Sequence, residues 1–173
     1  MADSKLQDLT ALTAPAASDI LFIVDDPAGT PLDKKITAQD LLEKTSYKTT
    51  WTPTIIGSTV AGTGTYTTQS GTYAKIANIV FLRAYIVWTA HTGTGNMKIG
   101  GLPFTPSTTA SEFQPFAVWF SNLTLSAVGN KVQIYASPVQ VQLNVEEVAG
   151  GASAALAIDT AGSIMISGFY FVD

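Results

Sequence analysis

The fold class follows from the stretch Ile79-Val-Phe-Leu-Arg-Ala-Tyr-Ile-Val-Trp88, in which Arg83 is the single charged residue. Side chains of a strand alternate between the two faces of a sheet, and here both alternating sets are apolar. We therefore predict a central strand buried on both faces, with one face against the core and the other against a second sheet or subunit. Three residues of the second set become candidates for a subunit interface, namely Phe81, Tyr85 and Val87.

Other segments after Trp51 also show strand signals. The clearest is Val139-Gln-Val-Gln-Leu-Asn-Val145, where apolar and polar residues alternate strictly, as in a strand with one buried face. A hairpin turn is predicted at Gln69-Ser-Gly71, and helical periodicity is not sustained in this region. Further strands are predicted at 97–99, 102–104, 116–120, 123–128, 132–136 and 163–172. Together these short strands predict an antiparallel, jelly-roll-like β-sandwich knob over residues 47–173, and hence a mainly β protein.

The beginning of the chain differs from the rest in its charge. Residues 1–50 carry 13 of the 22 charged side chains (nine basic plus thirteen acidic), and the following 123 residues carry the other nine. Such a change in composition is typical of a boundary between two parts of a chain. We predict an N-terminal attachment segment at residues 1–46.

This N-terminal segment is predicted to form a helix, a hairpin and a second helix. A short first helix is expected before Thr13. The apolar run Ile20–Val24 and the resumption at Leu32–Ile36 flank the turn-forming residues Asp25-Asp-Pro-Ala-Gly29. Thr37-Ala-Gln-Asp40 resembles a capping box, which predicts the start of the second helix. A unit of this size needs a neighbour for stability, so it is expected to bind a larger partner.

Composition excludes several classes of function. Charged residues make up 13% of the chain, compared with about 25% in typical soluble domains, so much of the surface is either uncharged or covered by other chains. The net charge of −4 and the absence of Lys and Arg clusters argue against nucleic acid as a partner. No segment approaches the length of about 18 consecutive apolar residues that a membrane span needs, and the first residues do not resemble a signal peptide.

Few residues in this sequence are suited to catalysis or metal binding. The chain has one histidine, His91, and no cysteine, which predicts neither a zinc site nor a disulfide. His91 lies in a Gly/Thr-rich segment and is expected to be a solvent-facing loop residue, with a Ser-His-Asp arrangement as the remote alternative. The acidic pairs Asp25-Asp26 and Glu146-Glu147 are expected to be solvated, because adjacent residues of a strand point to opposite faces. Weak calcium binding at a subunit interface is the alternative for these pairs. No glycine motif for phosphate binding is present, so we predict no catalytic residue, no metal and no cofactor.

Aromatic residues offer a different kind of site. An aromatic ring can stack on the apolar face of a sugar, and Trp51, Tyr66 and Tyr73 are our candidates for contact with a glycan. The alternative for each of them is a place in the core.

Two parts of the sequence resemble proteins of tailed-phage particles. The first comprises the segments Leu6-x-x-Leu-Thr-Ala-Leu12, Ala16–Gly29 and Lys34–Leu42, and it resembles the N-terminal segment with which many such proteins attach to the particle. The second runs from Trp51-Thr-Pro-Thr through Gly71-Thr-Tyr-Ala-Lys-Ile to Gly95-Asn-Met-Lys-Ile-Gly-Gly-Leu-Pro-Phe104. It is similar to distal β-sandwich modules of tail fibres and tailspikes. Together the two parts cover about 100 residues. Beyond Phe104 the sequence resembles these proteins in its richness in β-strand signals alone.

The resemblance implies a non-enzymatic virion protein that acts as a homotrimer. Because the two parts are joined without a shaft, we rank first a capsid decoration (cement) protein bound to the major capsid protein on the outer shell. A short tail fibre or tailspike-type protein that binds a host-surface glycan is the alternative, and a glycan-degrading enzyme is the third hypothesis. Attachment to the particle is assigned to the apolar residues Leu6, Leu9, Leu12, Ile20, Phe22, Val24 and Leu41.

Overall fold

The computed structural model describes residues 16, 18–25, 32–39, 41, 48–126, 131–138, 140–149 and 151–173. The chain divides into two compact units, Met1–Tyr47 and Lys48–Asp173. Among the described residues, no helix has the length and apolar character needed to cross a membrane.

The first unit contains a two-stranded antiparallel sheet. Strand β1 (Ile20–Asp25) pairs with β2 (Leu32–Thr37), so the two strands predicted here are present. The helix–hairpin–helix unit is not supported. Of the second helix, the described residues with helical backbone are Ala38, Gln39 and Leu41, and the first helix falls outside the described residues. Thr37, the predicted helix cap, is the last residue of β2, where it pairs with Ile20, and the residues of helical backbone follow it directly.

The second unit is one sheet of ten antiparallel strands. Its strands are β3 (Thr49–Trp51), β4 (Thr54–Gly57), β5 (Gly64–Ile76), β6 (Ile79–His91), β7 (Met97–Gly100), β8 (Gln114–Ser121), β9 (Lys131–Ala136), β10 (Leu143–Ala149), β11 (Ala152–Ala155) and β12 (Gly162–Phe171). The spatial order is β3-β5-β6-β12-β8-β9-β10-β7-β4, with β11 added on β10. The prediction of a mainly β protein is confirmed.

The sheet curls because β8 belongs to both of its halves. Residues Ala117–Ser121 of β8 pair with β12, whereas Gln114–Phe116 pair with β9. The two edge strands, β3 and β4, are joined by just Thr52 and Pro53, so the edges of the sheet lie near each other. The Tyr66 hydroxyl on β5 accepts a hydrogen bond from the Ile55 amide of β4 at 2.9 Å. The observed architecture is therefore a curled antiparallel sheet, and the jelly-roll sandwich stays a prediction.

The core fills the inside of this curl. Along β6, Val80, Leu82, Ile86 and Trp88 are at most 2% exposed. The alternate set points away from the core, and no second sheet of the described residues covers it: Phe81 is 46% and Tyr85 40% exposed. Of the two covers predicted for the outer face of β6, a second sheet is thus wrong for the described residues, and another subunit stays a prediction.

The predicted hairpin at Gln69-Ser-Gly71 is also wrong, since β5 runs unbroken from Gly64 to Ile76. Gly71 marks a close approach instead of a turn. A Cβ atom there would lie 2.4 Å from Nε1 of Trp51, so the absent side chain makes room for the indole. The chain turns at Ala77 and Asn78, where Ala77 has a φ of 51°.

Three further strand predictions are wrong over all or part of their length. Strand β10 begins at Leu143, because the chain turns before it: the Gln140 amide donates a hydrogen bond to the Ser137 carbonyl. Val139, where the predicted strand begins, lies outside the described residues. Residues 102–104, and the described residues 123–126 of the predicted strand 123–128, are not in a strand.

Candidate binding surface

One face of the curled sheet exposes a group of large apolar side chains. Phe81 on β6 lies directly opposite Phe169 on β12. Two rows along the same face, beyond the row of Arg83, Tyr85, Met165 and Trp119 stand side by side on β6, β12 and β8. Directly paired residues share a face of the sheet. We name this surface the apolar face; its five members are each between 39% and 49% exposed.

Two aromatic rings of the apolar face, Phe81 and Phe169, contact each other, and Phe169 also contacts the neighbouring Phe171. The centroids of Phe81 and Phe169 lie 6.2 Å apart, and those of Phe169 and Phe171 lie 5.8 Å apart in an edge-on arrangement. Monomeric soluble proteins rarely expose apolar groups together in this way, and a contiguous exposed patch indicates a surface for another molecule.

Arg83 divides the apolar face into two shallow grooves. Its direct neighbours are Thr72 on β5 and Ser167 on β12, neither of which is acidic. One groove, of about 570 Å³, reaches Tyr85 and Trp119, and the other, of about 430 Å³, reaches Phe81 and Phe169. Lys48 lines both grooves, and no acidic residue of the described chain lines either. The surface is therefore apolar with a positive centre.

The interface candidates from the sequence lie on this surface. Phe81 and Tyr85 belong to the apolar face, and Val87, in the next row, is partly buried. Trp119, Met165 and Phe169 were missed as members of the same surface. The alternating positions in Ser163–Phe171 carry a usable signal for two of them, but the pairing of β12 with both β6 and β8 is needed to bring them together.

The three glycan candidates are not members of the apolar face, although Tyr73 lines its smaller groove. Trp51 is 7% exposed and donates its indole N–H to the Arg83 carbonyl at 3.2 Å. Tyr66 is partly buried through its hydroxyl contact with Ile55, and Tyr73 packs edge-on against Phe104 at 5.6 Å. The structure does not bring these rings into one site, and burial leaves Trp51 little surface for a sugar.

The attachment candidates divide between described and undescribed parts of the first unit. Leu6, Leu9 and Leu12 lie outside the described residues, and Phe22 and Val24 lie in β1. Ile20 is 57% and Leu41 is 41% exposed. Within the first unit, these two apolar side chains are therefore exposed and can contact a partner.

His91 is not the solvent-facing loop residue that the sequence predicts. It is the last residue of β6, is 8% exposed, and its Nδ1 accepts the amide N–H of Gly93 at 2.9 Å. Its Nε2 therefore carries the proton and donates to the Ile55 carbonyl at 2.8 Å. The ring ties β6 to β4, which is a structural task.

The acidic residues do not converge on one point. Glu146 accepts hydrogen bonds from Tyr135 and Gln133, whereas the next residue, Glu147, accepts one from the Ser126 amide at 2.7 Å. Asp159 accepts the Thr124 amide, also at 2.7 Å. Among the described residues, no group of three or more His, Asp or Glu side chains is placed to hold a metal ion. Asp25 ends β1, and Asp26 lies outside the described residues.

Comparison with known proteins gives one structural likeness. No family model matches this chain, and no curated protein matches it by sequence. The crystal structure of the Dettilon tailspike protein is similar to 73% of this chain, with a TM-score of 0.57 and 19% sequence identity. The chain spans 24% of that protein's length. At this identity the likeness shows a shared fold.

Proposed function

We propose that this chain is a structural protein of a phage virion and serves as a receptor-binding module of the tailspike or short tail-fibre type. The observation that carries the proposal is the fold that 73% of the chain shares with a tailspike protein. The sequence resemblance of residues 51–104 to distal tail-fibre modules supports the same function. We place the protein at the tail of the particle, with a host-surface glycan as its ligand and neither nucleic acid nor membrane as a partner.

Capsid decoration, which sequence analysis ranked first, is not supported by the fold comparison. The two functions differ in copy number. A tail protein is present in a handful of copies per particle, whereas a decoration protein covers the shell in hundreds. Quantitative mass spectrometry of purified particles distinguishes them, and we expect the low number. A count in the hundreds would return decoration to first place.

Receptor binding is tested by competition. We expect the purified protein, added in excess to host cells, to slow adsorption of the phage that carries it. Unchanged adsorption over a range of protein concentrations would contradict receptor binding by this module. Heat-unfolded protein is the control for non-specific coating of cells.

We also propose that the protein is a homotrimer held together through the apolar face. Covering exposed Tyr85, Trp119 and Phe169 by a second copy removes apolar area from water, which is the dominant favourable contribution to association. Light scattering of the purified protein is expected to give the trimer mass, and the double substitution Tyr85→Ser/Trp119→Ser is expected to lower it. Phe113→Ser is the matched control, because this exposed ring lies off the apolar face. A monomeric wild-type protein would contradict the proposal.

Attachment to the particle is assigned to the first unit. Ile20→Asp and Leu41→Asp place a charge on exposed apolar positions of that unit, so we expect both to reduce incorporation into particles without unfolding the second unit. Normal incorporation of the double variant would contradict the assignment.

We propose no enzymatic activity. Glu146, Glu147 and Asp159 each accept hydrogen bonds from different groups, and this pattern does not bring two of them to one shared donor. We expect no release of reducing ends when host-surface polysaccharide is incubated with the protein.

A further inference from the structure

A separate cleft, which shares no lining residue with the grooves of the apolar face, surrounds Glu146. This residue lies on β10, with Gln133 of β9 and Ala155 of β11 as its direct neighbours. The Tyr135 hydroxyl donates to one carboxylate oxygen at 2.7 Å, and Nε2 of Gln133 donates to the other at 2.7 Å. Ser153 on β11 supplies a further hydrogen bond. Three neutral donors thus fix the orientation of one carboxylate.

The carboxylate is charged at neutral pH. Burial by itself would raise the pKa of Glu146, but the hydrogen bonds from Tyr135, Gln133 and Ser153 together outweigh it and hold that pKa below its ordinary value. Burial, with the hydrogen bond and charge of Glu146, raises the pKa of Tyr135 to about 12, so its hydroxyl keeps its proton. The cleft presents a fixed acceptor beside a hydroxyl group.

An exposed aromatic ring borders this polar group. Phe113 is 55% exposed, and its ring centroid lies 6.1 Å from that of Tyr135, with the two planes inclined by 51°. The open cleft has a volume of about 420 Å³, and Phe113, Gln133, Tyr135, Glu146 and Ser153 line it. A volume of this order accommodates a small ligand.

The hydrogen-bond capacity of the cleft is not used up by its own residues. A carboxylate has about four lone-pair positions, and the three donors of the cleft leave about one of them free. The Gln133 side chain donates through its nitrogen, and its amide oxygen is a further acceptor. A ligand that fits this arrangement offers hydroxyl donors on one side and an apolar surface for Phe113 on the other.

We propose that the Glu146 cleft binds one neutral saccharide residue. Its hydroxyls donate to Glu146 and to the Gln133 amide oxygen, and its C–H face lies on the Phe113 ring. This inference rests on the proposed receptor-binding function and names a site for it. Trp51, Tyr66 and Tyr73, the glycan candidates of the sequence analysis, do not line this cleft.

The test is an NMR titration of the full chain with D-glucose, D-galactose and D-mannose, and with D-glucosamine as a cationic probe. At least one neutral sugar is expected to shift the resonances of Ser153 and of the Gln133 side-chain amide. Phe113→Ala is expected to weaken binding about tenfold through loss of the stacking contact. Glu146→Gln, which keeps the side-chain shape, is expected to weaken it by a similar factor.

Phe169→Ala is the matched control, because it removes an exposed ring of the apolar face and is expected to leave sugar binding unchanged. Equal binding by wild type, Phe113→Ala and Glu146→Gln would overturn the site, and so would the absence of shifts with every neutral sugar. If the protein prefers D-glucosamine and this preference disappears at high salt, the cleft recognises an ammonium group and not a neutral saccharide. This result would also overturn the proposal.

Adsorption competition separates this inference from the proposed function. If the wild-type and Phe113→Ala proteins compete equally for host cells, receptor binding stands and the Glu146 cleft is rejected as its site. If neutral sugars bind the cleft but the wild-type protein neither competes nor is found at the tail, the cleft stands and the proposed function fails.

Discussion

The two faces of strand β6 have similar composition and opposite surroundings. Ile86 and Trp88 point into the core and are at most 1% exposed, whereas Tyr85 and Phe81 point outward and are 40% or more exposed. The same ten-residue stretch supplies both sets. Apolar character therefore marks a side chain as one that gains from burial, but it does not say whether its own chain or another molecule buries it.

The largest effect is expected from truncating a side chain of β6 that points into the core. Ile86→Ala leaves a cavity in a packed core and is expected to lower the free energy of unfolding by about 2–5 kcal/mol. Tyr85→Ala, one residue away on the apolar face, is expected to change the stability of the monomer far less, while weakening self-association. Urea unfolding at several protein concentrations measures both. Equal losses for the two variants would remove the distinction between the faces.

Adding a side-chain atom on the face of the sheet that points into the core is also expected to lower stability. Gly71→Ala places a Cβ atom 2.4 Å from the Trp51 indole nitrogen, so the ring must move. Overpacking of this kind costs about 1–3 kcal/mol, which urea unfolding detects. Ser70→Ala, at the neighbouring position that lines a groove on the apolar face, is the matched control and is expected to be close to neutral. A neutral Gly71→Ala would show that Trp51 is not held against β5.

A smaller effect, with a defined pH dependence, is expected at Tyr170 on the inner face of β12. Its hydroxyl donates to the Phe104 carbonyl at 3.0 Å, and Tyr170→Phe is expected to cost about 0.5–1.5 kcal/mol at neutral pH. Burial is the main cause that raises the pKa of Tyr170 from 10.0 to about 12, since the charged form is disfavoured inside the core.

The sign of the pH dependence follows from that raised pKa. The neutral hydroxyl stabilises the folded state fully below pH 10.0, and this contribution is lost as the pH rises to about 12. Tyr170→Phe has no proton to lose at this position, so its disadvantage should shrink over that range. Unfolding curves taken at neutral pH and between pH 10.0 and 12 test this, and parallel profiles for the two proteins would contradict it.

The smallest effect is expected at the turn that joins β5 to β6. Ala77 has a φ of 51°, in the left-handed region that costs a residue with a Cβ atom about 1–2 kcal/mol. Glycine avoids that cost but loses about 0.5–1 kcal/mol in conformational entropy. Ala77→Gly is therefore expected to raise thermal stability slightly, with a gain of about 0.5 kcal/mol in the free energy of unfolding. A clear loss would show that the turn depends on the alanine methyl group.

Long local patterns were predicted well, and pairings between distant segments were not. The runs at Ile20–Val24, Ile79–Trp88 and Ser163–Val172 predicted β1, β6 and β12, because most residues of each run are apolar. Gly71 was misassigned to a turn, since its partner Trp51 lies twenty positions away and close approach leaves no local signal. The interface candidates Phe81 and Tyr85 lie on the apolar face, but their neighbour Trp119 could not be inferred before the order of β6, β12 and β8 was known.

The amino-acid sequence alone determined that this protein is mainly β and that residues 79–88 form a strand inside its sheet. It did so because strand formation depends on residue alternation and turn chemistry over a few positions. Tertiary structure decided which apolar side chains remain exposed, that His91 joins two strands, and that Glu146 meets Tyr135, Gln133 and Ser153 in one cleft. These outcomes depend on the pairing of strands distant in sequence, which a local pattern does not encode.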